Sequence, residues 1–572
     1  MGENSNKYGV LQLKEQLFEK GLRNIVFSPG SRNAPLIISF AGDDRFNTFV
    51  IPDERSAGFY ALGMAEQLGK PVAAVCTSGS ALLNYYPAVC EAFYRNIPLV
   101  IISADRPDEW EDHGDGQTIR QKGVFKNHIC DETNLIENPR DDSEKWFNRR
   151  EIERIVEVAV EQGPVHINFP FKEPLYQTGD HAPVEKRNTR VLKAKDDFSE
   201  ESLAELTRIW NSSKRKLIIC GQMPKDPVLQ DRLERLTKDK SVAILVENTS
   251  NLYHRDFIHC IDRTINSITE DYPELFRPDL LITLGGAVIS KKIKTYLRKF
   301  KPDHHWRIGK HFPFMDTYQS LTLTIPVKDS FFINCLLDNS FVKNNSRYSE
   351  QWKNLDYRVQ DKHQSFLASA PYSDLSVFRF IMDIIPDNSR LHLANSSVVR
   401  YAQLFEPVSS VIYTCNRGTS GIDGSTSTAM GAAVADPNHL HTFISGDISF
   451  FYDSNAFWNH HLPENFRMFV INNGGGGIFK IIPGPDKTEV NDRFFVAKQS
   501  FSANKICEAF DINYFKAESV EDIEDQLHAF FGAQSNKKPA LMEIFTPTDI
   551  NDSVLKDYFN KIKISDIAPM KS

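Results

Sequence analysis

The sequence predicts an α/β protein made of three doubly wound parallel-sheet domains. Three observations carry this. Short runs that are apolar throughout alternate with helix-period segments, the pattern of a parallel sheet covered on both faces. Two polar, aperiodic stretches divide the 572 residues into three sections. The residues of unusual chemistry gather where strands end, the side on which open α/β sheets bind ligands. The length itself calls for several cores, since domains run to ~100–200 residues.

The elements follow in chain order. "YGVLQLKEQLFEKG" puts Val10, Leu13 and Leu17 on one helical face and stops at Gly21. "NIVFSPGSR" is an apolar strand ending in a Pro-Gly turn, and "FNTFVIPDER" repeats the pattern. "SAGFYALGMAEQLG" is a helix closed by Gly69, "PVAAVCTSGSA" a strand, "LLNYYPAVCEAFYRN" one helix and "IPLVIISADRP" a strand. The helix "WFNRREIERIVEVAVEQG" and the strand "GPVHINFPF" complete an N-terminal domain over residues 1–177, followed by a linker at 178–200. Strands "KLIICG", "SVAILVE", "LLITLGG" and "LTLTIPV" mark a middle domain over 201–345. A polar linker with a helix inside is expected at 346–373. The third domain, 374–572, carries strands "RLHLANS", "VIYTCN", "HTFISGD", "FRMFVINN" and "PALMEIF".

Composition excludes several classes. With 41% hydrophobic and 25% charged residues the chain is of ordinary globular type. A net charge of −8 and a pI near 6.1 argue against nucleic-acid binding. No apolar run approaches the ~20 residues that span a bilayer, so no membrane insertion is expected. The N-terminus has no signal-peptide pattern. Eight scattered cysteines without a C-x-x-C read as reduced thiols, and a cytoplasmic location is expected.

The chemistry concentrates after two strands of the third domain. Asp447 follows "FIS-G" and Asn473 follows "FVIN" 26 residues later, the spacing of a strand–helix–strand unit. The two loops should therefore lie side by side. A carboxylate, an amide oxygen and a backbone carbonyl of the Gly474–Gly477 run are hard oxygen donors suited to Mg²⁺. The glycines let backbone approach a phosphate. Helix capping is the competing use of Asp447.

This pair, with "GDIS" and "NNGGGG", resembles the metal–diphosphate signature of thiamine-diphosphate enzymes, although Ile448 and Gly474 replace the usual residues. "SPGSRNAPL", "DERSAGFYALGMA", "TSGSALLNYYPAVCEA", "SADRPDEW", "GQTIRQ", "GPVHINFPFKEPLY", "NSSVVR" and "NRGTSGIDGSTSTA" narrow the likeness. Together they resemble the 2-succinyl-5-enolpyruvyl-6-hydroxy-3-cyclohexene-1-carboxylate synthase family of menaquinone biosynthesis. The likeness covers most of residues 7–177 and 390–485.

The resemblance implies the three-domain fold of that superfamily and a carboligase reaction. It would decarboxylate 2-oxoglutarate on thiamine diphosphate, with Mg²⁺ or Mn²⁺, and add the succinyl unit to isochorismate. Glu54 is the implied catalytic residue, paired with the cofactor pyrimidine, where desolvation should raise its pKa. Asp447, Asn473 and the Gly475 carbonyl are the implied metal ligands. Ser78, Gly79, Ser396, Ile448, Ser449, Ile478 and Phe479 join Glu54 and these three at the cofactor, and Ile422 lies under it. Both substrates are dianions, so several Arg or Lys are needed, Arg being suited to bidentate carboxylate binding. Ser31, Arg32, Arg106, Gln117, Arg400 and Arg417, with Lys291 and Lys292 from the middle domain, are the implied substrate contacts. In this superfamily the site halves come from different subunits, which implies a homodimer or homotetramer. The competing readings are another thiamine-diphosphate 2-oxoacid decarboxylase or carboligase, which should not need the four arginines, and a non-catalytic cofactor-binding homologue.

Overall fold

The computed structural model describes residues 4–179, 183–185, 189–268, 273–339, 346–481, 484, 488–532 and 537–567. They contain three parallel sheets, as the alternation predicts. The first holds β1 (Asn24–Phe27), β2 (Asn47–Val50), β3 (Val72–Cys76), β4 (Leu99–Asp105), β5 (Asp131–Asn134) and β6 (Val165–Pro170), in the order β2-β1-β3-β4-β6-β5. The second holds β7 (Lys216–Cys220), β8 (Val242–Val246), β9 (Leu280–Leu284), β10 (His304–Ile308) and β11 (Leu323–Ile325), in the order β11-β10-β9-β7-β8. The third holds β12 (Arg390–Leu393), β13 (Ile412–Cys415), β14 (His441–Gly446), β15 (Phe466–Asn472), β16 (Asn513–Ala517) and β17 (Ala540–Phe545), in the order β13-β12-β14-β15-β17-β16. Counted within its own sheet, that is the order of the first. The central strands β3, β4, β7, β9 and β15 are buried along their length, which explains their unbroken apolar runs.

Three strands escape the apolar pattern. β5 and β16 are edge strands of mixed polarity. β10 lies inside its sheet and buries His305 and Arg307, so polar letters conceal a core strand. The segment read as one helix around Pro87 is two, Ser80–Asn84 and Tyr86–Arg95, because proline brings no N–H to continue the first. A helix, Tyr348–Leu367, occupies the 346–373 stretch.

The first and third sheets are joined by a close helix crossing. Helix Glu54–Leu68 meets helix Ser425–Ala435 where glycines remove the side chains between them. A Cβ on Gly63 would stand 1.9 Å from the Thr428 carbonyl oxygen, and one on Gly431 2.0 Å from that of Tyr60. Backbone cannot yield as a flexible side chain does, and overpacking costs about 1–3 kcal/mol. Gly63→Ala is therefore expected to lower the thermal unfolding midpoint in scanning calorimetry. Gly532→Ala, in open space, should leave it unchanged. An unaltered midpoint for Gly63→Ala would refute the crossing as a stability determinant.

Candidate active site

Sheet register assembles the loops. β14 pairs β15 with Gly446 opposite Ile471, so Asp447 emerges beside Asn472 and Asn473. β15 pairs β17 with Asn472 opposite Phe545, which adds Thr546 and Thr548. In the first sheet Asp105 stands opposite Pro170, bringing Arg106 beside the 171–173 turn.

At the third sheet, Asp447 is 2% exposed and Asn473 8%. Asp447 begins helix Asp447–Tyr452, whose N-cap is Gly446, so the carboxylate does not serve as the cap. Its Oδ1 accepts from the Ile448 N–H at 2.8 Å and its Oδ2 from Gln499 Nε2 at 2.6 Å. Burial pushes its pKa up to about 6, against the hydrogen bonds from Gln499, Ile448 and Gly475. Asn473 Nδ2 donates to Asp374 Oδ2 at 3.0 Å, and Asp374 also accepts from Thr546 Oγ1. That donation turns the Asn473 Oδ1 away from Asp374, the orientation a cation ligand requires. Asp447 and Asp374 are both buried, and no Lys, Arg or His among the described residues lies within ion-pair distance of either. Buried carboxylates without a counter-charge are costly, and a bound divalent cation removes the cost. The donor set therefore fits Mg²⁺ or Mn²⁺. A Cβ on Gly475, whose φ is +146°, would meet the Val496 carbonyl oxygen at 2.6 Å. Ile448, in place of the usual glycine, stands in ordinary helical backbone and needs no glycine there. Ser449 Oγ donates to the Ile422 carbonyl at 3.1 Å, tying the acidic loop to the apolar one. Ile478 opens the short helix Ile478–Ile481, and the Phe479 ring packs on Phe495. Of the 486–500 stretch, residues 486 and 487 lie outside the described residues; Asn491–Phe495 is a π-helical turn.

Asn395 organises the neighbouring arginines. Its Nδ2 donates to the Asn416 and Gly421 carbonyls, and its Oδ1 accepts from Arg417 Nη1 at 2.9 Å. Ser396 next to it holds φ +70°, an unusual value for a residue other than glycine and of the kind found at functional sites. The loop Arg417–Gly421 is anchored on the N-terminal domain, because buried Glu91 accepts from the Gly418 and Thr419 N–H groups. Burial and the charge of Arg417 lower the pKa of Arg400. Lys294 lies in the field of the same two arginines, and burial lowers its pKa first.

Lys291 is exposed. Lys292 points elsewhere: its Nζ donates to Asn266 Oδ1 and stands 3.4 Å from the Phe559 ring centre, with burial pushing its pKa down to about 8. Lys294, not singled out from the sequence, is thus the lysine of "KKIK" that shares the arginine field. The run of three basic letters gave no reason to choose among them; burial and direction did.

The first sheet carries a second cluster. Asp53 caps helix Glu54–Leu68, accepting from the Arg55 and Ser56 N–H groups, and so leaves Glu54 free of that duty. Burial raises the Glu54 pKa, its own backbone N–H lowers it and Asp53 raises it further. Cys76 and Tyr85 feel its charge. Ser78 is buried with an unpartnered Oγ, and Gly79, at φ +83°, approaches the Gln117 backbone so closely that a Cβ would stand 3.1 Å away. Arg32 pairs with Glu173 at 3.2 Å and donates to the Phe171 carbonyl. Arg106 pairs with Asp115 at 3.1 Å, while Asp105 receives only its backbone N–H. Burial and then Arg106 lower the pKa of Arg32. Ser31 and Gln117 are exposed at the rim. All four arginines keep a buried Nε–H without a partner.

Two like-charged arginine pairs thus stand at strand ends: Arg32 and Arg106, met by Glu173 and Asp115, and Arg400 and Arg417, with no carboxylate within ion-pair distance among the described residues. Glu54 and the first cluster stand on one domain, Asp447, Asn473 and the second cluster on another. No hydrogen bond or ion pair among the described residues connects a site residue of one to a site residue of the other.

Comparisons with known proteins agree with this division. The N-terminal thiamine pyrophosphate-binding domain model matches residues 9–132, the middle domain model 188–393 and the C-terminal thiamine pyrophosphate-binding domain model 396–544. Curated relatives named 2-succinyl-5-enolpyruvyl-6-hydroxy-3-cyclohexene-1-carboxylate synthase include that of Flavobacterium johnsoniae, 45% identical over 97% of this chain and 100% of the relative. The protein of Christiangramia forsetii is 46% identical over 95% of this chain and 97% of its own, and that of Porphyromonas gingivalis 39% over 98% of both.

Proposed function

Since the chain belongs to the 2-succinyl-5-enolpyruvyl-6-hydroxy-3-cyclohexene-1-carboxylate synthase family of thiamine pyrophosphate enzymes, we infer that it is a transferase of menaquinone biosynthesis that moves the succinyl unit of 2-oxoglutarate to isochorismate with loss of CO₂. Thiamine diphosphate, with a divalent metal, supplies the electron sink that makes loss of CO₂ from a 2-oxoacid possible. The protein supplies binding, orientation and proton control. Glu54 holds a proton at the cofactor's pyrimidine nitrogen. Asp447, Asn473 Oδ1 and the Gly475 carbonyl would hold the metal. Ser78, Gly79, Ser396, Ile448, Ser449, Ile478 and Phe479 would join them at the cofactor, with Ile422 as the apolar support under it.

The substrate reading is carried by the two arginine pairs. Arg400 and Arg417 lie together with no carboxylate within ion-pair distance among the described residues, an arrangement that an anion would relieve, and each substrate is a dianion. Arg32 and Arg106, with Ser31 and Gln117, would form one carboxylate pocket, a substrate carboxylate replacing Glu173 and Asp115 as their partner. Arg400 and Arg417, with Lys294 at their side, form the other. Lys292, turned to Asn266 and the Phe559 ring, lies outside this pocket, and Lys291 is its exposed neighbour. On this reading the complete site is assembled between two subunits, Glu54 from one and Asp447 from the other, with a homodimer as the smallest active unit. The compartment we propose is the cytoplasm; no helix among the described residues is long and apolar enough to cross a membrane.

The decisive assay supplies isochorismate, 2-oxoglutarate, thiamine diphosphate and Mg²⁺ and follows isochorismate loss by its ultraviolet absorption. Turnover of pyruvate with isochorismate untouched would reject the assignment. Arg417→Lys keeps the charge but loses the forked donors. A hydrogen bond to a charged group contributes about 1.5–3 kcal/mol, so KM for one dianionic substrate should rise roughly 10- to 100-fold with cofactor affinity retained. Unchanged KM values for both substrates would remove Arg417 from the pocket.

A further inference from the structure

A metal-binding carboxylate needs something to fix its plane. We propose that Gln499 is the positioning residue of the metal centre, holding Asp447 in ligand geometry through a directional hydrogen-bond chain that begins at Glu543. The proposal rests on the reading of Asp447 as a metal ligand.

The chain starts in the core of the third domain. Glu543 on β17 is fully buried and accepts from Asn472 Nδ2 at 2.7 Å, from the Ala503 N–H at 3.0 Å, from Ser502 Oγ at 2.7 Å and from the Tyr514 hydroxyl at 2.8 Å. With so many donors it can only act as an acceptor, so the Asn472 amide is oriented with its nitrogen toward Glu543. Asn472 Oδ1 therefore faces the loop, where it accepts from the Gly474 N–H at 3.3 Å and Gln499 Nε2 at 3.2 Å. The Phe501 N–H donates to Gln499 Oε1. This leaves one orientation for Gln499. Flipped, it would set its oxygen against Asp447 and Asn472 oxygens and its NH₂ against the Phe501 N–H, three repulsions for three hydrogen bonds. Gln499 Nε2 is thus committed to Asp447 Oδ2 at 2.6 Å.

The carboxylate is then held by the Ile448 N–H on Oδ1 and by Gln499 on Oδ2, beside the Gly475 N–H. Each oxygen keeps lone-pair capacity for a cation. The segment that delivers Gln499 is tied to the metal loop itself: Gln499 N–H donates to the Gly474 carbonyl at 3.1 Å, and Gly476 N–H to the Val496 carbonyl at 2.6 Å. Gln499 consequently reports on both loops that present the ligands. It has no place in the metal signature, because it lies 26 residues beyond Asn473 on a stretch without regular structure.

Removing a partner that orients a ligand typically costs 10- to 100-fold in metal affinity. The test titrates Mg²⁺ into the full-length protein at saturating thiamine diphosphate by calorimetry. Gln499→Met, which keeps bulk, and Gln499→Ser, which cannot reach Asp447, are compared with wild type. Both should raise the half-saturating Mg²⁺ concentration roughly 10- to 100-fold, and excess Mg²⁺ should restore kcat. The melting temperature of each metal-free variant separates this from a fold defect. A lowered melting temperature with wild-type Mg²⁺ half-saturation in both variants would overturn the proposal, leaving Gln499 a structural residue. Asp447→Ala is run alongside. Wild-type Mg²⁺ dependence in that variant would overturn the metal reading on which the proposal stands, whereas loss there with no change at Gln499 would sink the positioning role alone.

Discussion

Glu54→Gln is expected to lower kcat by about 10²- to 10⁴-fold, the usual contribution of a positioned acid–base group, with thiamine diphosphate still bound. The substitution keeps shape and hydrogen-bonding length but removes the titratable carboxyl group. Asp53 already provides the helix cap, so the loss cannot be read as a broken N-terminus. Stability should move the other way, and its pH dependence has a definite sign. Burial raises the folded-state pKa of Glu54 above its ordinary value of 4.5. The folded protein then binds the proton more tightly than the unfolded chain, so the Glu54 contribution to stability falls as pH rises above 4.5. The neutral glutamine escapes that penalty. The metal- and cofactor-free variant should therefore melt at or above the wild-type temperature at pH 8, with the difference fading as pH falls toward 4.5. Unchanged kcat would exclude Glu54 from proton transfer. A variant that melts lower at pH 8 than wild type would show that Glu54 is held by contacts outweighing its desolvation.

Asp447→Ala is expected to weaken metal binding by more than about 100-fold, since losing a ligand exceeds the 10- to 100-fold cost of losing a ligand's partner. Cofactor binding should fall with it, because a metal held by Asp447 would help hold the diphosphate. Calorimetric titration of thiamine diphosphate with and without Mg²⁺ measures this directly. In wild type the two affinities should differ; in the variant the difference should vanish. Asp374 sharpens the prediction. It is buried, accepts from Asn473 and Thr546, and remains after Asp447 is removed. It faces the amide nitrogen of Asn473 and not the loop interior, so it offers no replacement ligand. A metal-dependent cofactor affinity surviving in Asp447→Ala would contradict the site.

The sequence determined the parallel α/β class and the central strands, because strands buried on both faces must be apolar at every position and a period of 3.6 betrays the helices between them. It also brought Asp447 and Asn473 together, since a strand–helix–strand spacing leaves their loops adjacent, as the Gly446–Ile471 register shows. Glu54 and the four arginines enter the candidate site through motif resemblance and through the need to neutralise dianions. Buried strand β10 was hidden because His305 and Arg307 satisfy their polarity by partners that only the folded sheet supplies. Only the tertiary structure could separate Lys294 from Lys291 and Lys292, three letters of equal charge within four positions. Only it could find Asp374, Gln499 and Glu543, whose partners lie 99, 52 and 71 residues away in the chain. Period and spacing act over a few residues and announce themselves locally. Orientation of an amide or a carboxylate is set by whatever donors the fold brings near, and those carry no signal in the neighbouring sequence.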